Sequence, residues 1–137
     1  MNPVRRLLMG SGQFPAELRA FLDAEGIMAL DEGLPGSITY RNYRAARRHT
    51  SYRKQPVTGA VAVTGQRLVV WAGRGKQIDV PLIHPNRRLI DVDVDEPDRL
   101  RFGYDAGRFN GSRSGTVEIR LHTAKAGHIA ELLSRRP

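Results

Sequence analysis

The chain has 137 residues, 40% hydrophobic and 26% charged, with 22 basic side chains against 14 acidic ones and a formal net charge of +8. That is one domain's length, and a chain of this size buries about two-thirds of its surface on folding without a covalent staple. The absence of cysteine excludes disulfide frameworks, thiolate zinc sites, iron–sulfur clusters and thiol catalysis. No apolar run has the length of a membrane span, and the one after Arg5 and Arg6 stops at Gly10, short of a signal peptide. The expected compartment is therefore the cytoplasm.

Residues 1–13 lack a sustained pattern and read as a flexible lead-in. Pro15 then opens a short helix over 15–25, with Leu18, Phe21 and Leu22 on one stripe and Gly26 as its stop. From Gly36 the period changes to two. Seven strands are predicted: 37–46, with a bulge near Asn42, then 57–64, 67–72, 76–83, 88–95, 99–105 and 116–122. One face of the later strands is apolar, and it predicts a core of Ile78, Val80, Leu100, Phe102, Val117, Ile119 and Leu121. Alternation with polar neighbours marks an antiparallel sheet rather than βαβ units. A last helix follows, capped by Thr123, ending near Ser134 and adding Ile129 and Leu133 to the core.

Seven antiparallel strands followed by one amphipathic helix suit a strongly bent sheet whose open corner the helix closes. The run Gly59-Ala-Val-Ala-Val-Thr-Gly-Gln-Arg-Leu-Val-Val-Trp71 resembles the second and third strands of GRAM-type and bacterial pleckstrin-homology-like (PH-like) domains. Residues 76–82 resemble the same family's fourth strand, and 116–133 its closing strand and helix. The resemblance spans about 36–134. It implies a mainly β fold: a PH-like barrel of seven antiparallel strands over 36–137, closed by a C-terminal helix. Residues 1–35 form an N-terminal extension carrying an extra helix.

The resemblance also implies that three loops meet at one mouth of the barrel: first to second strand, third to fourth, sixth to seventh. Those loops hold Arg47, Arg48, Arg53 and Lys54; Arg74 and Lys76; Arg108 and Arg113, with Asp105 the one acid at their margin. Guanidinium forks suit phosphate oxygens, and the same mouth binds phosphoinositides in many relatives. Here residues 57–64 carry no basic side chain, so a diffuse contact with an anionic surface is expected rather than a stereospecific pocket. Tyr40, Tyr43 and Tyr52 interleave with the arginines, a pattern that can stack on single-stranded bases or pack on the sheet.

Other clusters read as structural. Asp91, Asp93 and Asp95 alternate along one strand face, where pairing with Arg99 and Arg101 is a better account than a cation site. His122, His128 and Glu131 lack further ligands, because His49 and His84 lie in distant loops, so no metal site is expected. No nucleophile elbow is present, and Gly73 to Lys76 is too short for a phosphate loop. Trp71 is a rim or core aromatic, or an anchor for a partner. The expectation is a non-catalytic module without cofactor, acting in protein interaction or self-association. The alternatives are peripheral binding to anionic phospholipid through the basic loops and, third, single-stranded nucleic-acid binding.

Overall fold

The computed structural model describes residues 10–73, 75–109 and 111–134. Helix α1 (Ala16–Glu25) precedes seven strands: β1 (Ile27–Ala45), β2 (Arg48–Thr64), β3 (Arg67–Ala72), β4 (Gly75–Pro81), β5 (Ile90–Glu96), β6 (Arg99–Asp105) and β7 (Ser114–His122). Helix α2 (Ala126–Ser134) closes the described chain, and short 3₁₀ turns at Pro85–Leu89 and Ala106–Arg108 precede β5 and β7. All strand pairs are antiparallel, in the order β4-β3-β2-β1-β7-β6-β5. Among the described residues β4 and β5 do not pair, so the sheet is a curled half-barrel rather than a closed one. No described helix is long and apolar enough to cross a membrane.

The period-two pattern from β4 onward places its apolar face as expected. Ile78, Val80, Leu100, Phe102, Val117, Ile119 and Leu121 are all buried on the concave face, with Ile129 and Leu133 of α2 packed among them. Thr123 caps α2 by accepting the Lys125 N–H (3.0 Å), and its hydroxyl donates to Asp31 on β1 (2.6 Å). At the other end, the Arg87 guanidinium donates to the carbonyls of Leu133 (3.0 Å) and Ile90 (2.9 Å). A cation thus meets the negative end of the helix and ties it to the sheet.

Residues 57–64 of β2 and most of β3 are buried on both faces. Val61, Val63, Leu68 and Val70 enter the main core, while Ala60, Ala62 and Val69 join Leu22, Phe14 and the flank of Trp71 in a second cluster beneath α1. Alanine at 60 and 62 lets the helix lie close to the sheet, and this explains why the run from 59 to 63 is apolar without alternation. Trp71 therefore packs under the helix.

Three expectations are corrected. β1 starts at Ile27, so it runs through position 36 and ten residues ahead of the predicted strand. Gly33, Pro35 and Gly36 are residue types that disfavour regular strand, but Gly33 takes a positive φ of 69° beside a register shift between Asp31 and Leu34, so the chain passes through as a bulged strand. β2 likewise begins at Arg48, because the charged segment 48–56 pairs with β1 along its length. Finally, residues 10–13 lie against the sheet: the Gly33 N–H donates to the Gly12 carbonyl (2.8 Å), and the Phe14 N–H donates to Glu32 (2.8 Å). Residues 1–9 of the predicted lead-in are outside the described residues.

Glu25 locks α1 to the sheet. It accepts from Arg67 Nε (2.9 Å) and the Thr64 hydroxyl (2.9 Å), and Arg67 also reaches Asp79 (3.1 Å) and stacks over Phe21 (4.8 Å to the ring centroid). Hydrogen bonding from Arg67 holds the Glu25 carboxyl below its ordinary value, against the opposing effect of burial. A lowered folded-state value means that the pair's stabilisation is present above 4.5, the ordinary carboxyl value, and fades as pH falls through the folded one. Glu25→Gln is expected to lower stability near neutral pH by roughly 1 kcal/mol, the upper range for a partly exposed pair. The difference should shrink as pH falls through the lowered folded-state value, where the wild-type carboxyl itself takes up a proton; urea melts at neutral pH and at steps down through the acid range check it.

Candidate functional site

Antiparallel pairing brings the β1–β2, β3–β4 and β6–β7 connections to the same end of the sheet, because β1, β3 and β6 all run towards it. β1 is bulged there. Its register with β7 slips by one residue between Arg41 and Arg44, and Asn42 takes a φ of 50°. Opposite it, Gly115 has a φ of 94°, and a side chain at that position would run into the Asn42 carbonyl. Strict alternation would send Tyr40 and Tyr43 to opposite faces. With the bulge both line the concave side, ring to edge with centroids 4.9 Å apart.

Two adjoining depressions share these tyrosines. One is a cleft of about 330 Å³ where the half-barrel stays open between β4 and β5. It is walled by Ile78, Val80, Ile90 and Val117 and roofed by Tyr104 and Phe109, with Lys76, Asp79 and Arg113 at its edge. The other is a groove of about 320 Å³ along the β1–β2 hairpin, lined by Arg47, Arg48, Arg53, His49 and Gln55. Burial raises the Tyr40 hydroxyl above its ordinary value, and the charges of Arg53, Arg48 and Arg113 pull the other way. Burial pushes Tyr104 up to about 12. Both phenols therefore remain protonated donors at neutral pH.

The eight basic residues singled out from the sequence separate into groups. Arg47, Arg48, Arg53 and Arg113 surround the tyrosine pair, and none has an acidic partner among the described residues. Lys76 reaches the cleft but is paired with Asp79 (2.9 Å), an acid the loop-by-loop reading had not placed there. Lys54 pairs in register with Thr39, so it faces away from Arg53 and Tyr40. Arg108 lines a separate groove with Asp91, Asp105 and Glu118. Arg74 lies outside the described residues. Tyr52 also departs from its sequence neighbours. It pairs with Arg41 on the outer face, 5.7 Å below that guanidinium, so Tyr40, Tyr43 and Tyr52 form no single stacking platform.

The outer face of β1, β7, β6 and β5 holds the opposite arrangement. Glu118 is buried, forms an ion pair with Arg41, and accepts from Arg101 (2.7 Å) and Arg120 (3.3 Å). Asp93 pairs with Arg101 (3.4 Å), and Asp95 with Arg99 (2.6 Å) and Arg120 (2.9 Å). Gly103 has no side chain to obstruct Arg101 as it lies across the sheet. Asp93 and Asp95 thus pair with strand arginines as the alternation predicts, and Arg99 holds the Asp95 carboxyl below its ordinary value. Arg41, Arg99, Arg101 and Arg120 of this face are paired with acids, whereas Arg47, Arg48, Arg53 and Arg113 at the loop end have no acidic partner among the described residues. Among the described residues no group of acidic and histidine side chains has the makings of a metal site.

Tyr104 and Phe109 were missed as lining residues. Tyr104 continues the Leu100 and Phe102 face, so its spacing marked it as core, and nothing in the local pattern marks Phe109. They meet edge to face at 5.5 Å. Arg47 has a φ of 60° in the two-residue hairpin turn, a conformation that costs an L side chain roughly 1–2 kcal/mol and glycine almost nothing. Arg47→Gly should therefore leave stability unchanged or raise it by up to about 1 kcal/mol in thermal or urea melts. A loss larger than that would show the side chain to be structural.

Comparisons of the chain with protein-family models, with curated proteins and with solved structures returned no match, so the reading of this site rests on its own geometry.

Proposed function

We propose that the chain is a non-catalytic PH-like binding module whose basic end docks on an anionic phospholipid surface. The PH-like reading is supported by the order of elements, seven antiparallel strands then a helix, and by the sheet order with β1 between β2 and β7. The docking reading rests on one observation. Arg47, Arg48, Arg53 and Arg113 gather around Tyr40 and Tyr43 without acidic partners among the described residues, whereas Arg41, Arg99, Arg101 and Arg120 on the outer face are matched by Glu118, Asp93 and Asp95. Such segregation gives the molecule a charge axis and orients it before contact. Each basic residue near an anionic bilayer contributes about 1 kcal/mol, without needing a shaped pocket.

A second reading, interaction with a protein partner, is supported by a different feature. β3 covers only residues 59–63 of β2, so most of the hairpin edge from 48 to 58 has no neighbouring strand among the described residues. An acidic extended segment would suit that edge, while Pro56, Arg53 and Lys54 discourage pairing with a second copy. Single-stranded nucleic acid is the weaker reading, because Tyr52 lies on the other face.

Co-sedimentation with phosphatidylcholine vesicles doped with phosphatidylserine separates these readings. The account predicts binding that weakens steeply towards about 0.15 M salt, where the Debye length is about 8 Å. Replacing Arg47, Arg48 and Arg53 together by Ser should weaken it by about a hundredfold. Binding unchanged by that triple replacement, or none at low salt, would overturn the lipid reading.

A further inference from the structure

The cleft beside the basic groove is more than the gap left by an unclosed sheet. Part of its wall is made of main-core side chains, with Ile78, Val80 and Ile90 at 5%, 2% and 3% exposure, so that part is apolar. Tyr40, Tyr43 and Tyr104 also line it, and none of their hydroxyls has a hydrogen-bond partner among the described residues, while the one acid of the lining, Asp79, is paired with Lys76 (2.9 Å). Arg113 is in the same lining, without an acidic partner among the described residues. Three phenol donors and one guanidinium lining a cleft that also has an apolar wall are complementary to an oxyanion carrying an apolar tail. A volume of about 330 Å³ stands at the small end of ligand pockets, enough for one short chain and too little for a two-chain lipid.

We propose that this cleft binds a free single-chain carboxylate, a short or medium-chain fatty acid, with the carboxylate held by Arg113 and the tyrosine hydroxyls and the chain laid on Ile78, Val80 and Ile90. The burial that pushes Tyr104 up to about 12 keeps its hydroxyl a donor at any ordinary pH. The site shares Tyr40 and Tyr43 with the basic groove but does not require vesicle binding, so the two are testable apart.

The experiment is calorimetric titration of the full chain with octanoate below its micelle concentration, beside acetate and 1-octanol. Octanoate should bind saturably with one site per chain, at least about tenfold tighter than either control, because each lacks the tail or the charge. Phe109, 41% exposed at the cleft roof, is the discriminating position. Phe109→Glu places a like charge at the cleft and should cost about tenfold or more without impairing folding, which near-ultraviolet circular dichroism checks. Arg113→Gln should cost about tenfold. The triple Ser replacement at Arg47, Arg48 and Arg53 should lose vesicle binding and keep octanoate binding. Absence of saturable binding would overturn the proposal. So would affinity that survives both Phe109→Glu and Arg113→Gln, or that is lost in the triple Ser variant and retained in Phe109→Glu.

Discussion

The double pairing of β1 is the constraint on which the rest depends. This strand pairs with β2 along its length and with β7 over its second half, so it is the seam joining the β2–β3–β4 and β7–β6–β5 halves of the sheet. Holding both partners while the sheet curls requires local changes of register, and β1 takes them at 27–29, at 31–34 and, against β7, at 41–44. The last is a bulge seated on Gly115, and it turns both Tyr40 and Tyr43 inward. The cleft, the basic groove and their shared aromatic wall follow from that one extra residue.

Electrostatics then divides the molecule. Glu118 sits nearly buried in the middle of the outer face, where an unpaired carboxylate would be costly. Arg41, Arg101 and Arg120 satisfy it, and Asp93 and Asp95 match the remaining positive charge of Arg101, Arg120 and Arg99. Arginine suits this face because its planar fork can hold two carboxylates: Arg101 bridges Glu118 and Asp93 on the strands either side of it, and Arg120 joins Glu118 of its own strand to Asp95 on β5. With the acids of β5 and β7 so engaged and Asp105 capping its own turn through the Gly107 N–H (2.8 Å), the excess cation at the loop end is left without local compensation.

Much of the architecture was legible because one face of each late strand is apolar. β3 and β6 match their predicted limits, and the predicted core residues are buried. The less legible parts have specific causes. Gly33, Pro35 and Gly36 disfavour regular strand in isolation, yet pairing with β2 and β7 makes them strand. Residues 48–56 are polar on both faces because the edge of β2 faces solvent, so they showed no alternation. In the site, the local density of arginine located Arg47, Arg48 and Arg53, and the loop positions located Arg113. Sequence proximity misled at Lys54 and Tyr52, which the strand period sends to the other face, and at Lys76, which lies inside β4 with its partner Asp79 three residues on in the same strand. The cleft itself was invisible, because Ile78, Val80 and Tyr104 have the spacing of core residues and only the failure of β4 to meet β5 exposes them.

The central claim is that the tyrosine-walled, arginine-rimmed end of the half-barrel is the surface where this protein meets its partner. Backbone amide chemical-shift mapping of the isotope-labelled chain against anionic bicelles tests it most directly. The account predicts that shifts concentrate at Arg47, Arg48, Arg53, Tyr104 and Arg113 and are absent from α1 and from the outer face around Glu118. Shifts gathered on α1 or on that outer face, with the hairpin unmoved, would contradict it.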